Sequence, residues 1–180
     1  MINQCKQPFR KKLVRFSAVA QSAEIPSPAP LPSARILVVE DDTASQLVVQ
    51  AILRKLGYEV EIADDGGKAL ERLQRTRYDL VLMDCEMPGM DGYETARRIR
   101  QKETGVLNPQ IPIIAVTAHA LQGDRENCLK AGMNDYLSKP IEPNLLARAL
   151  HEWLARSGNT NSNHVAPEDA QSIFDELGWS

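Results

Sequence analysis

Glu40, Asp41 and Asp42 stand side by side at the end of the apolar run in "RILVVEDD", and a further carboxylate, Asp84, ends the run "LVLM" in "YDLVLMDCEMPGMDG". Thr117 closes "IPIIAVT", and Lys139 follows "DYLS". Gathered at one place, such carboxylates repel: two unit charges about 4 Å apart at an effective dielectric near 20 cost roughly 4 kcal/mol. A cluster of this kind persists when it takes up protons or holds a cation. Magnesium suits it, because that ion takes one or two carboxylates, keeps several waters and leaves room for a phosphate oxygen. Asp41 and Asp84 are assigned as direct ligands, with Glu40 an outer partner through water. The plainer reading of the triplet is a set of acids capping a helix N-terminus. That accounts for Asp42 well and for all three together poorly.

A carboxylate beside a bound cation can attack a phosphoryl group and form an acyl phosphate. The loose transition state spreads charge over the equatorial oxygens, so positioning and cationic contacts dominate its stabilisation. Magnesium would meet one oxygen, the Lys139 ammonium a second, and the Thr117 hydroxyl with nearby backbone N–H groups a third.

These residues converge only if the elements that carry them end on one edge. Short Val/Ile/Leu runs alternate with helical patterns from Arg35 to about Ser157, which predicts βα units and a parallel sheet. Strands are expected at residues 36–39, 59–63, 80–83, 113–117 and 135–138. The first, third and fourth are nearly all apolar, as inner strands covered on both faces must be. Leu47, Val48, Ala51, Ile52 and Leu56 recur at helical spacing, and Gly57 supplies a stop. Further helices are expected at 67–74, 93–101 and 124–131, with Gly132 ending the last. A final helix opens at Glu142-Pro143, where proline suits the first turn, and runs to about Arg156. Five strands and five helices in alternation predict an α/β fold, a doubly wound five-stranded parallel sheet of flavodoxin-like (βα)5 order. In such a sheet functional groups collect beyond the carboxyl ends of the strands.

The rest of the chain sets bounds. Its 180 residues predict one domain with tails, and 43% hydrophobic with 25% charged residues are ordinary values for a soluble globular protein. A net charge of −3 gives no footprint for nucleic acid. No apolar stretch is long enough to cross a bilayer. The lead "FRKKLVRFSAVAQSA" mimics a secretion signal, but Arg15 breaks its short apolar segment, which argues against export. Cys5, Cys85 and Cys128 are odd in number and lack a CxxC pairing, as expected of reduced thiols in the cytoplasm. His119, His151 and His164 have no zinc-ligand spacing with them. Residues 1–34 read as a disordered basic tail passing into a Pro/Ser-rich linker, 35–157 as the domain, and 158–180 as a polar linker and short tail. In that tail Ile173, Phe174 and Leu177 have helical spacing, and weak docking or none is expected.

Four ordered motifs, "ILVVEDD", "LVLMDCEMPGMDG", "IPIIAVTA" and "DYLSKPI", resemble the receiver domain of bacterial response regulators in two-component systems. Any one alone is weak; four in order with the acid, Thr and Lys positions filled are specific. The likeness spans about Arg35–Arg156 and is most like the receivers of hybrid sensor histidine kinases. It implies phosphotransfer from a histidine kinase or histidine phosphotransfer protein to Asp84, within a phosphorelay. Glu40, Asp41 and Asp84 would hold Mg2+, with the backbone carbonyl of Glu86 completing the set. Thr117 and Tyr136 would form a switch pair acting on a surface of the fourth helix, fifth strand and fifth helix. The resemblance also implies a cis peptide at Lys139-Pro140, and leaves room for a phosphorylation-dependent homodimer. It describes a signalling module that catalyses only its own phosphorylation and dephosphorylation, without a nucleic-acid or membrane partner for this chain alone.

Simpler roles fit several neighbours. Met87, Pro88 and Gly89 shape a loop. Cys85 is buried filler rather than a redox group. Tyr136 reads, without the resemblance, as a half-buried strand aromatic. His119 reads as a solvated loop residue, and "RKKLVR" as a solvated tail. The alternative function is a haloacid-dehalogenase-like Mg2+-dependent phosphatase. Its signature requires a second Asp two positions after the nucleophile, where this chain has Glu86. A flavin or nucleotide module would require a Gly-rich phosphate loop after the first strand, where acids stand instead.

Overall fold

The computed structural model describes residues 34–118 and 122–157, and for 122–124 the backbone only. The expectations for residues 1–33 and 158–180, and for His119, lie outside the described residues.

The strands are β1 (Arg35–Val39), β2 (Glu59–Ala63), β3 (Leu80–Asp84), β4 (Ile113–Thr117) and β5 (Asp135–Ser138), of which β1, β3 and β4 are largely apolar runs. Between and after them run α1 (Thr43–Lys55), α2 (Gly66–Arg75), α3 (Gly92–Arg100), α4 (Gln122–Lys130) and α5 (Pro143–Arg156). The predicted elements are all present. Boundaries move by a residue or two: β3 runs one residue further and takes in Asp84, and α4 starts two residues earlier.

Local chemistry starts the helices. Asp42, Asp65 and Asp91 precede α1, α2 and α3, and each carboxylate accepts from a backbone N–H three residues on, at Ser45, Lys68 and Glu94. Such a cap contributes about 1 kcal/mol. α5 has no side-chain cap and opens instead with Pro143, whose missing N–H costs nothing in the first turn.

All strand pairs are parallel, in the order β2-β1-β3-β4-β5. β1, β3 and β4 are thus the inner strands. Alternation splits the core in two. Leu37, Val39, Val81, Met83, Ile113 and Ala115 face one layer, closed by Leu70 and Leu73 of α2, Ile99 of α3 and Cys128 of α4. Ile36, Val38, Leu80, Leu82 and Ile114 face the other, closed by Ile52 and Leu53 of α1 and Leu146 and Leu150 of α5.

The segment between α3 and β4 holds a short 3-10 turn, Lys102–Thr104, that the apolar pattern does not signal. Arg100 fastens it. Its guanidinium donates to the carbonyls of Gly132 and Pro109 and to Asn134 Oδ1 at 2.8–2.9 Å. Asn134 Oδ1 also accepts from Ile113 N–H, so one arginine ties α3, the entry to β4 and the entry to β5. No described helix is long and apolar enough to cross a membrane.

Candidate functional site

The register brings the predicted groups to one end of the sheet. Val39 pairs with Met83, so Glu40 and Asp84 come next on adjacent strands. Asp84 pairs with Val116, which puts Thr117 one residue beyond, and Thr117 pairs with Ser138, which puts Lys139 next. Lys139 N–H also donates to the Thr117 carbonyl at 2.8 Å.

At this rim one carboxylate oxygen from each of Glu40, Asp41 and Asp84 lies within 4.8 Å of the others. Glu40 and Asp84 are each only 3% exposed, whereas Asp41 faces solvent. Asp42 turns away to cap α1, so the triplet divides into one capping acid and two site acids.

Two buried carboxylates need an opposing charge, and Lys139 provides it. Its Nζ lies 2.7 Å from Asp84 Oδ2 and 2.9 Å from Glu40 Oε2. Burial works against the ammonium, yet hydrogen bonds and charges from Asp84 and Glu40 outweigh it and hold its pKa above the usual lysine value. Burial pushes the Glu40 carboxyl upward, the hydrogen bond from Lys139 offsets part of this, and the charge of Asp84 adds to the rise. The ion pair between Lys139 and Glu40 is not signalled by the spacing of the residues along the chain.

Backbone groups complete the geometry. Glu86 N–H donates to Asp84 Oδ1 at 3.1 Å, placing the Glu86 peptide against the acid while its side chain is exposed. Asp42 N–H donates to Glu40 Oε1, and Gln46 of α1 donates to the Glu40 carbonyl at 2.6 Å. Gln46 was not anticipated as a support; its only sequence signal is its place one turn into the helix after the acids.

Gly92 is a second unanticipated contributor. A Cβ there would come within 2.1 Å of the Asp84 carbonyl oxygen, so only glycine lets α3 begin this close to the strand end. Gly89 has φ +81 with open space around it, a turn conformation consistent with a loop-shaping role. Met87 is buried in the core. Cys85 is buried too, and burial followed by the neighbouring Cys128 pushes its thiol up to about 12. Such a thiol is unreactive at neutral pH.

Thr117 is 2% exposed. Tyr136 is half-buried and packs against the core layer that holds Met83 and Cys128. The peptide between Lys139 and Pro140 is cis, as the resemblance implied.

The donor set is all oxygen and anionic, partly buried, and open on the Asp41 side. Its charge is only partly offset by one ammonium. That chemistry fits a hard divalent cation such as magnesium, and the arrangement can present Asp84 to an incoming electrophile beside Lys139.

A family model described as the response regulator receiver domain matches residues 36–151. The chain is 38% identical over 150 residues to the sensor protein GacS of Pseudomonas syringae pv. syringae, covering 83% of this chain and 16% of that protein. It is 41% identical over 133 residues to the signal transduction histidine-protein kinase BarA of Escherichia coli K12, covering 74% of this chain and 14% of that one. The chain therefore spans only a small fraction of these relatives. Among solved structures, the receiver domain of sensor histidine kinase PA1611 from Pseudomonas aeruginosa PAO1, with magnesium in its active-site cleft, is 51% identical. Its TM-score is 0.62, and the match covers 68% of this chain and 98% of that one. The receiver domain of Ssk1, in a co-crystal with the histidine phosphotransfer protein Ypd1 from Saccharomyces cerevisiae, gives 29% identity and a TM-score of 0.65 over 74% and 96% of the two chains.

Proposed function

The chain belongs to the response regulator receiver domain family, and on that footing we propose that Asp84 accepts a phosphoryl group from the phosphohistidine of a histidine kinase or histidine phosphotransfer protein. The observation that carries this reading is the contact of Lys139 with two buried carboxylates, Asp84 and Glu40, beside exposed Asp41.

In the proposed step an Asp84 oxygen attacks phosphorus in line with the P–N bond of the donor. The new bond is an acyl phosphate O–P bond, and the electron pair of the broken P–N bond stays on the donor imidazole. Glu86 N–H and Lys139 orient the Asp84 carboxylate from its two oxygens. As charge builds on the equatorial oxygens, Lys139 Nζ follows one of them and the Thr117 hydroxyl meets another. Glu40, Asp41, Asp84 and the Glu86 carbonyl would hold Mg2+. When bound, the ion supplies positive charge that offsets the carboxylates and the incoming phosphoryl oxygens.

Phosphorylation then favours one of two conformations that the domain already samples. Thr117 and Tyr136 act as the switch pair, and α4, β5 and α5 form the surface that changes. A phosphorylation-dependent homodimer through that surface belongs to the same proposal. So does a cytoplasmic setting, consistent with Cys85 and Cys128 standing as thiols outside any disulfide. The haloacid-dehalogenase-like alternative is not supported: the family match is to receivers, and Glu86 stands where that chemistry requires Asp.

The test is to incubate the full chain with magnesium and a small-molecule phosphodonor and to weigh it intact. The wild type is expected to gain one phosphoryl group, and Asp84→Asn none. Equal gain by both, or no gain by the wild type, overturns the assignment. Multiple turnover on a phosphate monoester would instead revive the phosphatase reading.

A further inference from the structure

Gln46 lies in the first turn of α1, half-buried, one turn after the acids that end β1. Its main-chain N–H donates to the Asp42 carbonyl at 2.9 Å, the regular bond of the helix. Its side-chain amide reaches back over that turn and donates to the Glu40 carbonyl at 2.6 Å, six positions earlier. One residue is thus tied, by backbone and by side chain, to both ends of the segment that carries Asp41.

That segment is where strand becomes helix. Glu40 N–H still donates to the Ala63 carbonyl at 3.0 Å, as a strand residue would, whereas Asp42 already caps α1. The change of direction falls on Asp41. Each flanking acid has its own anchor. Glu40 accepts from Asp42 N–H at 3.2 Å and pairs with Lys139, and Asp42 accepts from Ser45 N–H at 2.8 Å. Asp41 is exposed, so packing does not fix its side chain. One of its carboxylate oxygens nevertheless lies within 4.8 Å of oxygens of Glu40 and Asp84. Like charges repel at that range, so the direction of the backbone decides where the Asp41 carboxylate stands.

Gln46 supplies that direction. The peptide from Glu40 Cα to Asp41 Cα is planar, so a donor on the Glu40 carbonyl also fixes the orientation of the Asp41 N–H and Cα. An amide suits the task, because it donates a hydrogen bond without adding a charge beside the acids. Magnesium tolerates little departure from its preferred geometry, and loss of a partner that orients a metal ligand lowers affinity by about 10–100-fold.

We propose that Gln46 is a positioning residue for the cation site. By holding the Glu40 carbonyl it keeps Asp41 convergent with Glu40 and Asp84, and so sets the affinity for Mg2+ rather than the rate of the phosphoryl step. This rests on the reading of these acids as a Mg2+ site; Gln46 acts through the acid turn and not on phosphorus.

The test is calorimetric titration of the full chain with magnesium chloride and no phosphodonor, for the wild type, Gln46→Met and Gln46→Ala. Both variants lack the donor, and each is expected to bind magnesium about tenfold more weakly. Gln50→Met, one turn further along α1, is expected to bind as the wild type does. In phosphorylation from a small-molecule donor, the half-saturating magnesium concentration should rise about tenfold in both Gln46 variants, with the rate at saturating magnesium unchanged. A role confined to helix packing would lower the unfolding temperature in chelator and leave the affinity alone. Wild-type affinity in either folded Gln46 variant, or equal weakening by Gln50→Met, overturns the proposal while the Mg2+ site stands. A wild type that binds no magnesium overturns the site itself, and this inference with it.

Discussion

Lys139 Nζ donates to Asp84 Oδ2 at 2.7 Å across 55 positions of sequence. The same ammonium lies 2.9 Å from Glu40 Oε2, so one cation serves two carboxylates that are almost wholly buried. Each of the three charges depends on the other two. This mutual dependence underlies both the stability of the rim and its proposed chemistry.

Replacing Lys139 by Met removes the charge and leaves Glu40 and Asp84 facing each other. Breaking a fully buried pair costs about 3–5 kcal/mol. Lys139 is 30% exposed and partly solvated, so a smaller loss of about 2 kcal/mol is expected without divalent cation. Urea unfolding in the presence of a chelator measures it, and phosphoryl gain from a small-molecule donor should fall sharply in the same variant.

Magnesium is expected to stabilise the folded chain, because it binds the assembled carboxylates and not the unfolded ones. At ten times its dissociation constant the gain is about 1.4 kcal/mol. Asp41→Asn should remove most of that gain. In chelator the same variant should match or exceed the wild type, since one repelling charge is gone. Thermal unfolding with and without magnesium distinguishes the two effects.

Gly92→Ala is expected to destabilise the domain by about 2 kcal/mol or more, because the atoms it meets are backbone and cannot step aside. The new Cβ would lie 2.1 Å from the Asp84 carbonyl oxygen and 2.9 Å from Cys85 Cα. Denaturant unfolding measures the loss. If the variant still folds, slower phosphorylation of Asp84 should accompany it.

Alkaline pH should weaken the fold through two buried phenols. Burial pushes Tyr58 up to about 12, and burial with the hydrogen bond to Glu61 does the same for Tyr78. The unfolded phenols ionise near 10. Between pH 10 and 12 the unfolded chain therefore releases protons that the folded chain keeps. Stability is intact below about pH 10 and falls as pH rises through that window. Denaturation midpoints across the range should show this slope, and Tyr58→Phe should flatten it.

Much of this molecule was legible in one dimension. Short, β-branched Val/Ile/Leu runs such as those at Ile36 and Ile113 read as strands buried on both faces, and their alternation with amphipathic helices argues for a parallel sheet. The aspartates before α1, α2 and α3 act on backbone groups three residues away. Chemistry that local is written in the sequence. So is the convergence of Glu40, Asp84, Thr117 and Lys139, because parallel strands all end on the same edge.

Tertiary structure decided what depends on distance between segments far apart in the chain. The sharing of Lys139 between Glu40 and Asp84, the Gln46 contact to the Glu40 carbonyl, the approach of Gly92 to Asp84 and the Arg100 tie across three segments all have this character. Residue type and spacing specify which groups reach the rim. Only the packed register of strands and helices sets which of them lie within bonding distance, since hydrogen bonds and ion pairs are decided by fractions of an ångström that no linear pattern records.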